Sequence, residues 1–118
     1  MKEVRGVVEH AEPVEYSESS GNVFADLGLP DAEERLLKSQ IAVQIRLLVE
    51  QKGWTQAQVA ERVGLDQPKV SALFRGRLAG FSLDRLFRIL NRLGRSVEVR
   101  ISVEEFAPED ARMRVRIA

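Results

Sequence analysis

Cysteine is absent from the 118-residue chain, which excludes a disulfide framework, a thiolate-held zinc site and a thiol nucleophile. Histidine occurs once, as His10 in an acidic stretch, so no histidine metal cluster can be assembled and its place argues poorly for an enzyme. Phosphate-cradling P-loop, dinucleotide-fingerprint and GxSxG patterns are missing too. The adjacent pairs Glu33–Glu34 and Glu104–Glu105 lie in polar stretches and read as solvated carboxylates. Together these absences predict no enzyme, no metal site and no cofactor. No apolar run approaches the roughly 20 residues of a membrane span, and the N-terminus has no apolar signal-peptide core. The expectation is a soluble cytoplasmic protein without a membrane partner.

Net charge is also zero, with 18 basic and 18 acidic side chains, but the cancellation is not local. Residues 1–34 carry 2 basic and 9 acidic groups, net −7, residues 35–100 carry 13 and 5, net +8, and residues 101–118 carry 3 and 4, net −1. A basic middle is what a phosphate-binding module requires. The length suits one small domain with arms rather than two independent cores.

The segment TQAQVAERVGLDQPKVSALFRGR, Thr55 to Arg77, has the punctuation of two short helices joined by a tight turn. Thr55 can cap a helix over about Gln56–Val63. Gly64 ends it, since glycine accepts positive φ without a Cβ penalty, and the chain reverses within Gly64, Leu65 and Asp66. Asp66 caps the next helix, with Pro68 in its first turn, where a missing N–H costs nothing. Val59, Val63, Leu65, Val70 and Leu73 supply buried faces, and Ala60 is small where the helices must approach closely.

Around this motif the chain divides into an arm over residues 1–20, read as mobile and acidic, a helical domain over 21–95 and a C-terminal region over 96–118. Val4, Val7 and Val8 could form a short strand in the arm, and Phe24, Leu27 and Leu29 are the expected anchors of a lead-in. Asp31 with Glu34 has the spacing of a capping box. Leu37, Ile41, Ile45, Leu48 and Val49 then recur at helical period up to Lys52 and Gly53, with a break allowed near Lys38–Gln40. Trp54 follows as a core plug. Ser82 caps a further helix with an apolar stripe of Leu83, Leu86, Phe87, Leu90 and Leu93, closed by Gly94, and Arg85, Arg88 and Arg92 on its other side. Beyond it the period changes to two: Val97, Val99, Ile101 and Val103 alternate with polar residues, as do Met113, Val115 and Ile117, predicting a strand or a hairpin. An unpaired apolar strand edge invites another chain, so strand-mediated homodimerisation is one expectation and a hairpin packed on its own monomer the other.

From Gln56 to Leu73, with Ala60, Gly64 and Val70 and apolar residues at 59, 63, 65 and 73, the pattern resembles the helix-turn-helix of the Cro and phage-repressor (Xre-type) family. The flanking segments, GNVFADLGLPDAEERLLKSQIAVQIRLLVEQKGWTQ and FSLDRLFRILNRLGRSVEVRI, resemble its HigA-like antitoxin branch, and the likeness spans roughly residues 21–101. It implies a mainly α, lambda-repressor-like bundle, here with a C-terminal β-strand or hairpin. It also implies a transcriptional repressor that binds double-stranded operator DNA as a dimer.

On the second motif helix, rotation of about 100° per residue turns Val70, Leu73 and Phe74 inward and Pro68, Ser71, Ala72 and Arg75 outward, with Gln67 and Lys69 at the flanks. Gln67 carries the two-sided amide that pairs with adenine, Ser71 can donate or accept, and Pro68 and Ala72 offer apolar contact to a thymine methyl. So thin a reading surface shifts specificity towards DNA shape. The family geometry implies phosphate contacts by Gln56, Lys69, Arg75 and Arg77. Arg85, Arg88 and Arg92 are read either as DNA-facing or as a solvated or partner face.

The HigA-like branch further implies autorepression together with neutralisation of a toxin, usually a small basic RNase. The acidic arm suits such a partner by charge, although it could equally aid solubility or fold over the basic DNA face. The alternative is a stand-alone Xre-type repressor without a toxin.

Overall fold

Leu37, Ile41, Ile45, Leu48 and Val49 are all buried along one side of a single helix, α1 (Ala32–Lys52), as their spacing requires. Three shorter helices follow: α2 (Gln56–Val63), α3 (Gln67–Phe74) and α4 (Leu83–Arg92). The computed structural model describes Leu27, Gly28 and residues 31–117. The acidic arm of residues 1–20, its short valine strand, and Phe24 and Leu29 lie outside the described residues.

α1 departs from expectation in two places. It runs without interruption through Lys38–Gln40, because Leu37 and Ile41 on either side belong to the same buried stripe and no residue between them breaks a helix. Asp31 does not have the backbone of a capping residue. Its φ is 52°, left-handed rather than extended, although its carbonyl accepts the Arg35 amide at 2.9 Å. Leu27, expected as an anchor, is 68% exposed.

The chain divides into two compact units, one of Lys38–Ala111 and one of residues 1–37 with 112–118. In the first, the core comprises Ile41, Ile45, Leu48 and Val49 from α1, Val59, Ala60 and Val63 from α2, Val70 and Leu73 from α3, Phe81, and Leu86, Ile89 and Leu93 from α4 and its end. Burying each large member is worth roughly 1.5–3 kcal/mol before the ordering entropy is subtracted. The buried stripe of α4 is Leu86, Ile89 and Leu93: Leu86 and Leu93 are buried as predicted, Ile89 is not expected there, and Leu83, Phe87 and Leu90 are only half-buried, so the helix is turned slightly towards Ile89. In the second unit, the Met113 amide donates to Glu33 Oε2 at 2.8 Å and Val115 is half-buried.

The expected C-terminal strand or hairpin is not formed: among the described residues there is no strand. Alternation decides which side chains share a face, but a strand exists only where its N–H and C=O groups meet those of a neighbouring strand. Among the described residues the segments over 97–103 and 113–117 pair with no neighbouring strand, and Val99, Ile101, Val103, Met113 and Ile117 are exposed.

Candidate nucleic-acid interface

The turn between α2 and α3 is built by three local devices. At its entrance Thr55 Oγ1 accepts the Gln58 amide at 3.1 Å while the Thr55 amide donates to Gln58 Oε1 at 2.8 Å, a reciprocal capping box. At the bend Gly64 has φ 72°, and the amides of Gly64 and Leu65 both donate to the Ala60 carbonyl, at 2.9 and 3.1 Å. A Cβ on Gly64 would lie 3.8 Å from Arg92 Nη1, an ordinary contact, so the demand for glycine comes from the backbone and not from space. Beyond the bend Asp66 Oδ1 accepts the Lys69 amide at 3.0 Å, and Pro68 occupies the first turn of α3.

α2 packs on both α3 and α4, so α3 is held against the body along one side only. That side is Val70 and Leu73, both fully buried, with Phe74 half-buried. Pro68 and Arg75 on the opposite side are exposed, as is Gln67 at its flank, while Ser71 and Ala72 are half-buried between them. The far end of α3 closes on Gly76, whose φ is 77°, with the Gly76 amide donating to the Leu73 carbonyl at 3.1 Å and the Arg77 amide to that of Ala72 at 2.9 Å. Arg75 and Arg77 therefore leave the helix end from a fixed turn, and both are exposed. Gln56 is exposed in the first turn of α2. Of the eight residues expected at the interface, Gln67, Pro68, Ser71, Ala72 and Arg75 thus line the open side of α3, and Arg77 and Gln56 flank it.

Lys69 is the exception. It is half-buried, its Nζ lies 5.4 Å from the centroid of the Phe81 ring, and a Cβ on Gly80 would come within 3.2 Å of that Nζ. Its side chain is thus drawn towards the Gly80–Phe81 turn. The arginines of α4 are exposed beside the same region: Arg88 Nε pairs with Asp84 Oδ2 at 3.0 Å, and the Arg85 guanidinium lies 6.0 Å from the Phe81 ring. An open groove of about 390 Å³ is lined by Arg85, Arg88 and Arg92 together with Gly64 and Leu65 of the turn.

Three residues that organise the site are not evident from its sequence motif. Gln58 completes the capping box, Gly76 fixes Arg75 and Arg77, and Phe81, 2% exposed, carries Lys69 and Arg85 near its ring. A signal for Phe81 did exist. It precedes the cap Ser82 and stands five residues before the buried Leu86, the spacing of a hydrophobic staple. Trp54, which follows α1, is half-buried with the Arg62 guanidinium 4.1 Å above its ring. Among the described residues no group of three or more His, Asp or Glu could hold a metal, and no helix is long and apolar enough to cross a membrane.

The model of a family described as "Helix-turn-helix domain" matches residues 23–102. A solved structure described as "Putative XRE Family Transcriptional Regulator" is similar at a TM-score of 0.70 and 40% sequence identity, over 75% of this chain and 100% of that one. No curated protein matches the chain.

Proposed function

This chain belongs to the helix-turn-helix domain family, and from that membership we propose a DNA-binding transcriptional regulator that enters the DNA groove with the open side of α3. The observation that carries this reading is the contrast between the two sides of one short helix: Val70 and Leu73 are fully buried, whereas Gln67, Pro68 and Arg75 stand exposed between two fixed turns. A helix so mounted, with cations at its end, fits the major groove. Gln56, Arg75 and Arg77 hold phosphates, joined by Lys69 once its side chain leaves Phe81. Gln67 and Ser71 reach base edges, and Pro68 and Ala72 contact thymine methyls. With so few polar readers, much of the discrimination comes from DNA shape. The regulator acts as a homodimer, which doubles the site read by one helix. Fluorescence anisotropy of the promoter fragment upstream of its own gene tests the reading. Saturable binding with a steep salt dependence supports it; equal, weak affinity for that fragment and for scrambled duplex would overturn it.

The finer assignment is the autorepressing antitoxin of a HigBA-like pair. It is supported by the resemblance of the segments flanking the motif and by the partition of charge, net −7 over residues 1–34 against +8 over 35–100, which offers an acidic surface to a small basic RNase. Copurification with the product of a neighbouring basic reading frame tests this. A stable complex supports the antitoxin, and the lack of one leaves a stand-alone Xre-type repressor.

A further inference from the structure

Arg85, Arg88 and Arg92 share one side of α4, and all three line the groove that Val63, Gly64 and Leu65 line from α2 and its turn. No carboxylate lines it. The other donors there are already engaged: the Gly64 and Leu65 amides donate to the Ala60 carbonyl, and Asn91 Nδ2 donates to the Arg95 carbonyl at 2.9 Å. Arg88 is held by Asp84. Arg85 and Arg92, both exposed and in no ion pair among the described residues, are therefore the charges that the groove presents to an anion.

Which anion follows from where this charge begins. A helix with its side chains is about 10–12 Å across and the major groove about 12 Å wide, so a reading helix fills the groove and both its flanks meet phosphate walls. Lys69 lies on one flank of α3, about 100° round from Pro68. Its Nζ is 5.4 Å from the Phe81 ring, and the Arg85 guanidinium is 6.0 Å from the same ring, so the flank of α3 and the start of α4 carry one continuous basic edge. From Arg85 that edge runs on to Arg92, about 10 Å further along the helix axis. At about 3.4 Å of duplex axis per phosphate on one strand, this is the length of about three phosphates. An acidic protein segment would meet the same two charges but would not need them to continue from the reading helix. We propose that the groove between α4 and the α2–α3 turn seats the sugar-phosphate backbone of the strand on the Lys69 flank of α3, with Arg85 and Arg92 as its cationic contacts. This rests on the entry of α3 into the major groove and extends the footprint of one chain beyond the bases that α3 reads. Phosphate contacts carry no sequence information, so the two arginines add affinity on every duplex.

The test counts phosphates. Each one neutralised adds about −0.9 to the slope of log affinity against log salt, so a single contact is worth about a 3.5-fold change in affinity between 50 and 200 mM salt. In fluorescence anisotropy with the full chain, R85A/R92A should be about tenfold less salt-sensitive over that range than the unsubstituted chain, by the same factor on promoter and on scrambled duplex. R85K/R92K, which keeps both charges, should retain the slope. So should R46A, which removes an exposed arginine of α1 that does not line the groove. An unchanged slope in R85A/R92A would overturn the proposal, and a flatter slope in R75A under the same conditions would then leave the entry of α3 standing. A slope lost in R85A/R92A but not kept by R85K/R92K would trace the effect to the fold of α4 and overturn the contact as well. Absence of saturable promoter binding by the unsubstituted chain would instead overturn the regulator reading on which the groove depends.

Discussion

The amide of Arg77 donates to the carbonyl of Ala72 at 2.9 Å, so the last turn of α3 and the cationic residue beyond it move as one piece. Gly76 makes this closure, with φ 77° and no atom within 4 Å of where a Cβ would be. Gly76→Ala should therefore lose about 1–2 kcal/mol through backbone strain alone. Urea denaturation should show a lower midpoint at unchanged slope, and promoter affinity should fall as Arg75 and Arg77 lose their fixed exit.

Arg75 and Gln67 should differ in kind. Arg75→Ala should weaken binding to every duplex by a similar factor and reduce the salt slope by about one. Gln67→Ala should cost about 1–3 kcal/mol on the cognate site and little on scrambled DNA. Anisotropy titrations on operator variants at several salt concentrations separate the two, and equal losses on all variants for both mutants would contradict the division.

Caps at the two ends of the motif should separate stability from binding. Thr55→Ala breaks the reciprocal box with Gln58 and Asp66→Ala removes the acceptor for the Lys69 amide, each at a cost of about 1 kcal/mol. Only Asp66→Ala should also reduce promoter affinity at temperatures where both variants are folded, because it loosens the first turn of the reading helix.

Phe81 and Ala60 mark opposite packing failures. Phe81→Ala empties a fully buried site and should cost about 3–5 kcal/mol, while Ala60→Leu overpacks α2 and should cost about 1–3 kcal/mol. Thermal unfolding followed by far-UV circular dichroism should rank Phe81→Ala as the more damaging.

How much of this was legible depends on whether a feature is local. Helices α2 and α3 follow from Thr55, Gly64, Asp66 and Pro68, which act through the nearest backbone groups, and the buried stripe of α1 follows from spacing alone. On α4 the spacing places Leu86 and Leu93 correctly in the buried stripe but not Ile89, because six apolar residues crowd that surface and only the packed core chooses Ile89 over Leu83, Phe87 and Leu90. Phe81 sits outside any helical period. It was visible only through the staple spacing that Trp54 with Val59 and Leu65 with Val70 share. The C-terminal alternation is plain, but pairing is a property of two segments and no strand forms among the described residues. At the site, exposure of Gln67 and Arg75 followed from the wheel, whereas the turn of Lys69 towards Phe81 depends on a loop that brings Gly80 beside α3.

Amide chemical-shift mapping of the full chain during titration with its upstream promoter fragment shows which helix enters the DNA groove. The largest changes should fall at Gln67, Ser71, Arg75 and Arg77, with smaller ones at Gln56 and little at the exposed Val43 side of α1. Changes confined to α4 or to residues 97–117, with α3 unmoved at saturation, would contradict entry by α3.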